Sequence, residues 1–418
     1  MTEMDLVART EPGQPVDELP PPGRAHVAFC SPRRSLRGSG EALRIDLPAP
    51  WPEHVDAVAD TLAGIVHDGS GGAGRGPVAF GALPYDRDTP ASLVVPAVIH
   101  GRTADGERWT TRIGDAAAGS DAATTSDVAA SSEDGDEAPT PTDPTSVTIS
   151  SVLSPREWAA SVATAVDRIG RGELTKVVLA RELSVRTDQA LDAATLLRRF
   201  RAASPAAFAY SVDGFVGATP ELLVSRIGDV VRAHPMAGTL PRTGDPDADS
   251  RRAGELLGST KNRWEHQITI DAVHDTLLPW CSYLDAEPEP SVVAAGPVQH
   301  LATLVEGRLG QPEPSVLELV AALHPTPAVG GWPRIEALAV QAELERADRG
   351  RYAGPVGWVD AEGNGVFGVG IRGVQIAEDP TSARLFAGVG VVDGSDPWAE
   401  LEETRSKAAA VLGALTRI

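Results

Sequence analysis

Two cysteines in 418 residues, Cys30 and Cys281, are too few for a disulfide framework and cannot form a four-cysteine zinc site. No run of about 18 consecutive apolar residues occurs, so no membrane-spanning helix is expected. The opening segment, MTEMDLVARTEPGQPVDELPPPGR, has no apolar stretch of the signal-peptide kind, and a cytoplasmic location is expected. Basic residues are scarce: 37 Lys and Arg face 58 Asp and Glu, a formal net charge of −21. Nucleic-acid readers carry a basic footprint, so neither nucleic acid nor a membrane is an expected partner. An anionic substrate would need a local basic pocket acting against the overall field. Nor is there a repeat with a period of roughly 20–50 residues. What is present is apolar material, 42% of the chain, enough for a sizeable core.

Two segments lack the side chains to offset ordering entropy. Residues 1–24 are polar and Pro-rich. Residues 114–150 hold eight acidic residues and no basic or aromatic one. They are read as a disordered tail and a disordered acidic linker, with no chemistry expected in the linker. Between them, 25–113 shows short apolar runs (HVAF, PVAFGALPY, ASLVVPAVI) broken by Gly and Pro, the signature of strands.

From 151 to 418 the signals sharpen. Ser154-Pro155-Arg156-Glu157 predicts an N-cap, a first-turn proline and an acidic opening, followed by an amphipathic helix that ends at Gly170 and Gly172. TKVVLARELSV predicts a strand, DAATLLRRFRAA a helix, and AFAYSV, GFVGAT and ELLVSRIGDVVRAH further strands. One long helix is expected from about Asp247 to Leu278, and a final helix in PWAELEETRSKAAAVLGAL. HLATLVEGRL, YAGPVGWVDAEGNGVFGVGIRGVQI and ARLFAGVGVV predict sheet. Helices mixed with hairpin-like strands, without regular βαβ alternation, indicate α+β.

Several residues invite a chemical reading beside a structural one. Glu400, Glu403 and Lys407 are spaced i, i+3, i+7 and share a helix face. The two carboxylates are half of a hard-cation site; the alternative is a solvated face with an i,i+4 Glu–Lys pair. The preceding LFAGVGVV has glycines that let backbone N–H groups approach an anion. Glu265 could complete the cation site if its helix faces the last one, or lie on the surface. His266 and His274 are eight apart and no H-E-x-x-H occurs, which excludes that zinc motif. Lys176, in an apolar strand, is either a desolvated base or solvated on a wet face. Glu221, after Pro220, is a positioned acid or a strand-start glutamate. Arg372 suits a carboxylate bidentately, or pairs structurally. His234 and His324 are read as structural.

In order along 151–415, TKVVLAR, GATPELLVSR, HPMAGTLPR, the WEH helix, VQHL, LHPTPAVGG, YAGPVGW, FGVGIR, LFAGVGVV and ELEETRSK resemble the motifs of the chorismate-utilising enzymes, which form isochorismate, salicylate, anthranilate or aminodeoxychorismate. The resemblance implies an α+β fold of two interleaved halves, with large antiparallel sheets packed face to face, helices outside, and 25–113 as the N-terminal part of that fold. Residues 151–418 would be the chorismate-binding catalytic region. It implies Mg²⁺ held by Glu265 and Glu403, with Glu400 beside them. Asn262 stands where the family often has an acidic residue. Arg372, Lys407, Tyr352 and the backbone at Gly388 and Gly390 resemble the groups that hold the substrate carboxylates, and Gly238 and Thr239 the segment beside its ring.

Three positions separate the branches of the family. Water-using members resemble this chain in having Lys at position 176, whereas ammonia-using anthranilate-forming members have Gln there. Aminodeoxychorismate-forming members carry a nucleophilic Lys where Ala237 stands. Ala328 in LHPTPAVGG resembles the isochorismate-forming members; salicylate-forming ones tend to have Thr. The resemblance therefore implies Mg²⁺-dependent, reversible conversion of chorismate to isochorismate by water attack at C2 and loss of the C4 hydroxyl. In that reading Lys176 takes a proton from water and Glu221 protonates the leaving hydroxyl. The expected destination is menaquinone or siderophore biosynthesis, with no glutamine amidotransferase subunit and a monomeric chain. The alternatives are a salicylate synthase and a non-catalytic chorismate-binding protein.

Overall fold

The computed structural model describes residues 6–14, 17, 19–23, 26–115, 142–296 and 298–416. Three sheets organise them. The largest runs, from one edge, through Val147–Ser151, Lys176–Thr187, Ser382–Val391, Gly373–Ile376, Phe215–Thr219, Phe208–Val212, Val27–Cys30, Arg34–Ser39, Val98–Thr103, Arg108–Asp115, Leu6–Pro12 and Val66–Gly69. A short strand, Gly331–Trp332, also pairs onto the start of Lys176–Thr187. The second sheet runs Cys281–Ala286, Val305–Leu309, Val230–His234, Leu222–Ile227, Gly365–Val369, Pro355–Asp360, Val78–Ala82, Ala91–Val95 and Leu43–Leu47. A small third sheet joins Met236–Pro241, Val298–Ala302 and Ser291–Ala295.

The two large sheets pack face to face. Phe29, Leu36, Trp109, Tyr210 and Phe215 from the first share one buried cluster with Phe80, Leu93, Val224, Trp358 and Phe367 from the second. Helices cover the outer face of the first sheet. Leu196, Phe200, Val411 and Leu415 from helices Ala193–Ala203 and Pro397–Thr416 pack on Leu385 and Val374. Trp158, Val162 and Val340 from helices Pro155–Gly170 and Arg334–Leu344 pack on Val177, Leu179, Val389 and Val391. Side chains alternate across a strand, so this outward set fixes the inward one. Lys176, Val178 and Ala180 on one strand, and Phe386, Gly388 and Gly390 on its neighbour, face the interior. The order and register of these two strands, Val178 opposite Gly390, decide what can meet there.

The fold is α+β, with sheets antiparallel but for one edge pair and with peripheral helices, and strands from 27–113 enter both large sheets. The predicted N-cap is present, and it closes into a capping box: Glu157 N donates to Ser154 Oγ at 3.3 Å and Ser154 N to Glu157 Oε2 at 2.9 Å. Among the described residues no helix is long and apolar enough to cross a membrane.

Three expectations need correction. The tail assigned to 1–24 contains the strand Leu6–Pro12, antiparallel to Arg108–Asp115 and parallel to Val66–Gly69. Its few inward side chains, Ala8 and Thr10, are buried, and Thr10 Oγ1 lies 2.8 Å from both Thr111 Oγ1 and His67 Nε2. Cross-strand pairing, invisible to composition, orders a polar segment. The linker assigned to 114–150 is shorter at both ends, because Gly114 and Asp115 finish one strand and Val147–Ser150 belong to another; residues 116–141 lie outside the described residues. The helix expected over Asp247–Leu278 is two helices, Pro246–Gly258 and Thr260–Leu277. Gly258 weakens the helix interior, and Ser259, extended at ψ 111°, caps the second helix by accepting from Asn262 N.

Thr10 is the test of the N-terminal strand, since its hydroxyl also accepts from Gly76 N at 3.2 Å. Thr10→Val keeps the volume and orphans these partners, so the unfolding free energy should fall by about 1–3 kcal/mol in urea titrations. A loss within the scatter of surface substitutions would contradict the burial of this strand.

Candidate active site

A cavity of about 300 Å³ opens at the junction of the Lys176–Thr187 and Ser382–Val391 strands, the small sheet, helix Thr260–Leu277 and helix Pro397–Thr416. Every site residue expected from the sequence lines it. Lys176, 1% exposed, reaches across the interior face of the sheet so that its Nζ lies 2.8 Å from Glu265 Oε1. The residue on the next strand is Gly390, which leaves the two charged side chains room to meet. A Cβ on Gly390 would stand 2.5 Å from Glu265 Oε1 and 3.1 Å from Lys176 Cε. A side chain there would push the two charged groups apart.

Glu221 sits in the bend between strands Phe215–Thr219 and Leu222–Ile227, 4% exposed. Burial pushes its carboxyl up to about 8, against the lesser pulls of the Met236 backbone hydrogen bond and the charges of Lys176 and Lys407. At neutral pH this carboxyl holds a proton it can give.

The C-terminal helix brings Glu400, Glu403 and Lys407 to the cavity on one face. Lys407 Nζ lies 2.7 Å from Glu403 Oε1 and donates to Gly388 O at 2.8 Å. The i,i+4 pair of the structural reading is therefore formed, and it lines the cavity. Burial, then the charge of Glu403, raises the Glu400 carboxyl to about 7, while Ser395, Lys261 and Lys407 pull it down.

Arg372 takes a left-handed backbone, φ 57°. Its Nη2 lies 3.2 Å from His300 Nε2, and His300 Nδ1 lies 3.0 Å from Thr239 Oγ1. A guanidinium can only donate, so Nε2 accepts and Nδ1 carries the proton toward Thr239. Burial, then the charges of Arg372 and Lys407, keeps His300 neutral, far below the usual imidazole range. Arg372 Nη1 is buried without a hydrogen-bond partner. Buried donors are nearly always satisfied, and an orphan on a cation lining a cavity points to an anionic ligand. Tyr352 stacks on Phe386, centroids 5.1 Å apart, and burial raises its phenol to about 12. A Cβ on Gly388 would lie 2.9 Å from its Oη. Gly238, at φ 72°, turns the chain beside Asn262, and Ala328 with Val329 forms another wall.

His300 and Lys261 line the cavity as well and were not singled out from the sequence. VQHL marked the first only as part of a motif, and Lys261 carried no signal of its own. His324 is structural, its Nε2 2.9 Å from Tyr85 O.

Among the described residues no three His, Cys, Asp or Glu side chains form a ready-made metal cage. Even so, Glu265, Glu400 and Glu403 supply hard oxygen donors to one cavity, and Glu400 is held partly protonated by its burial beside Glu403. A divalent cation would relieve that repulsion. The set fits Mg²⁺ bound through a few carboxylates, with water and substrate oxygens completing the shell.

A family model described as "chorismate binding enzyme" matches residues 31–416. The MenF protein of Mycobacterium tuberculosis is 39% identical over 82% of this chain and 87% of its own length. Isochorismate synthase DhbC of Bacillus subtilis is 32% identical over 99% of both chains. Among solved structures, MenF, the menaquinone-specific isochorismate synthase from Escherichia coli, superposes with a TM-score of 0.81. The match covers 98% of this chain and 94% of that one at 22% identity, a likeness of fold.

The raised carboxyl of Glu221 has a consequence for stability. Its proton affinity is higher folded (about 8) than unfolded (4.5), so ionisation of the unfolded chain opposes folding increasingly from about pH 4.5 to 8. Glu221→Gln removes this cost. It should raise the unfolding free energy on the order of 3 kcal/mol near pH 7 and very little near pH 4, measured by urea titration at both. An equal effect at the two pH values would contradict the buried, protonated carboxyl.

Proposed function

The chain belongs to the chorismate-binding enzymes, and from that membership we propose that its cavity interconverts chorismate and isochorismate with the help of Mg²⁺. The observation that carries this reading is one cavity holding a buried amine, Lys176, a proton-bearing carboxyl, Glu221, and the unsatisfied Arg372 Nη1.

The chemistry exchanges one water for another. Water adds at C2 of the ring, the double bonds shift, and the C4 hydroxyl leaves as water. Glu221 gives its proton to the departing hydroxyl, which would otherwise leave as hydroxide. Lys176 is the ammonium partner of Glu265 in the resting site, so it must first give up a proton; as the neutral amine it then holds the attacking water and takes its proton. Arg372 Nη1 and Lys407 grip the two substrate carboxylates, and the Tyr352 hydroxyl and the backbone at Gly388 and Gly390 complete the grip. Thr239 and Gly238 border one side of the ring and Ala328 another. Glu265, Glu400 and Glu403 would hold Mg²⁺, which supplies neutralisation of a substrate carboxylate.

Discrimination within the family follows from size and polarity. Ala237 offers no amine to compete with water. Ala328 offers no polar handle to fold the enolpyruvyl side chain over the ring, the pose in which the C2 hydrogen can reach the side-chain methylene and pyruvate is lost. Near-attack geometry of that kind is worth several kcal/mol in rate. Isochorismate therefore accumulates, for entry into menaquinone or siderophore biosynthesis.

Incubation with chorismate and Mg²⁺ should give a mixture of the two isomers with little pyruvate, read by chromatography and a coupled lactate dehydrogenase assay. Exhaustive chelation should stop turnover, and Glu403→Gln should remove most of it. Stoichiometric pyruvate with salicylate would move the assignment to salicylate synthesis.

Lys176→Ala and Glu221→Ala should each lower kcat on the order of 10²–10⁴-fold, with chorismate binding largely kept. A near-normal rate in the Lys176 variant would refute water activation by this residue.

A further inference from the structure

The strand that carries Lys176 has a gap along its outer edge. Gly331 and Trp332 pair with Val177 and Lys176, and Val147–Ser151 pairs only from Leu183 onward. Between them, Val178 N donates to Gly330 O at 2.9 Å. Three side chains from a helix and the turn after it, Gln341, Glu345 and Arg349, fill the rest; they are 4%, 5% and 5% exposed.

Gln341 Nε2 donates to Val178 O at 2.7 Å and to Gly330 O at 2.6 Å. Arg349 Nη2 donates to Val178 O and Nη1 to Val329 O, both at 2.9 Å. Glu345 Oε1 accepts from Ala180 N at 2.7 Å, and its Oε2 receives Arg349 Nε at 2.9 Å. One planar fork thus ties Val178 to Val329, two cavity-lining residues from different segments of the chain. Its plane is itself held, 4.3 Å from the Tyr85 ring centroid, while the Tyr85 hydroxyl donates to Gln341 Oε1 at 2.7 Å.

A buried ion pair is a weak source of stability, because desolvation offsets its attraction. Apolar side chains could fill the same volume. They could not bond carbonyls on two segments at once, which is what a guanidinium fork does.

We propose that Gln341, Glu345 and Arg349 are positioning residues that set the spacing of the cavity walls at Val178 and Val329 and so align Lys176 for the reaction. The inference rests on the isochorismate-forming reading of the cavity. Arg349→Lys keeps the charge opposite Glu345 but loses the fork, and the double substitution Glu345→Gln with Arg349→Met removes both buried charges together.

For variants that unfold cooperatively like the wild type, kcat should fall on the order of 10²-fold, the cost of misplacement by about 1 Å. KM for chorismate should stay within about threefold. Hydrogen exchange should quicken about tenfold at the amides of 177–180 and 328–330, with helix Pro155–Gly170 unchanged. Unchanged kcat in both variants, or a raised KM at unchanged kcat, would overturn the inference. Should the wild type itself not turn over chorismate, the functional reading fails, and the exchange measurement decides on the walls alone: unchanged protection at 177–180 and 328–330 overturns their positioning.

Discussion

Lys176 is buried to 1% exposure and meets the Glu265 carboxylate at 2.8 Å, and much of the surrounding structure follows from that contact. A buried ammonium left alone would cost several kcal/mol in desolvation. Its carboxylate must come from another element, helix Thr260–Leu277, which must therefore lie against the sheet. The strand beside Lys176 must be smooth where the two groups meet, and Gly390 makes it so. The outer edge of the Lys176 strand must be held in place, and there the Gln341–Glu345–Arg349 side chains stand in for a missing strand.

The same constraint explains how a chain with a net charge of −21 can accept a dianion. Lys176, Lys261, Arg372 and Lys407 converge on the cavity beside Glu265, Glu400 and Glu403, and with Glu221 holding its proton the cations outnumber the carboxylates there. Three of these cations are fixed by a neighbour: Lys176 by Glu265, Lys407 by Glu403 and Gly388 O, Arg372 by a neutral His300. Preorganised charge in a site shielded from water acts more strongly than the same charge on a surface.

The site was legible in the sequence to the extent that it lies in local motifs. Alternation along TKVVLAR and LFAGVGVV puts Lys176, Gly388 and Gly390 on one side, and helical spacing puts Glu400, Glu403 and Lys407 on another. The choice between a solvated Glu403–Lys407 pair and a cavity pair could not be read from spacing, because both readings form the same contact. Other features depend on partners far along the chain. The strand Leu6–Pro12 is ordered by Arg108–Asp115, and Arg349 acts on Val178, 171 positions away. Ser259 was hidden for a different reason: a serine that caps one helix directly after another looks like a tolerable interior residue. His300 acquires meaning only beside Thr239, on a neighbouring strand, and Arg372, in the bend before Gly373–Ile376.

In the proposed reaction this cavity replaces the C4 hydroxyl of chorismate by a solvent hydroxyl at C2. Turnover in ¹⁸O-labelled water, followed by mass spectrometry of the isochorismate formed, tests it directly. One solvent-derived oxygen is expected at C2 in the isochorismate made by the wild-type protein, and label at C4 in the chorismate regained on reversal. Isochorismate formed without label would show that the hydroxyl migrates within the substrate, and would contradict the roles given to Lys176 and Glu221.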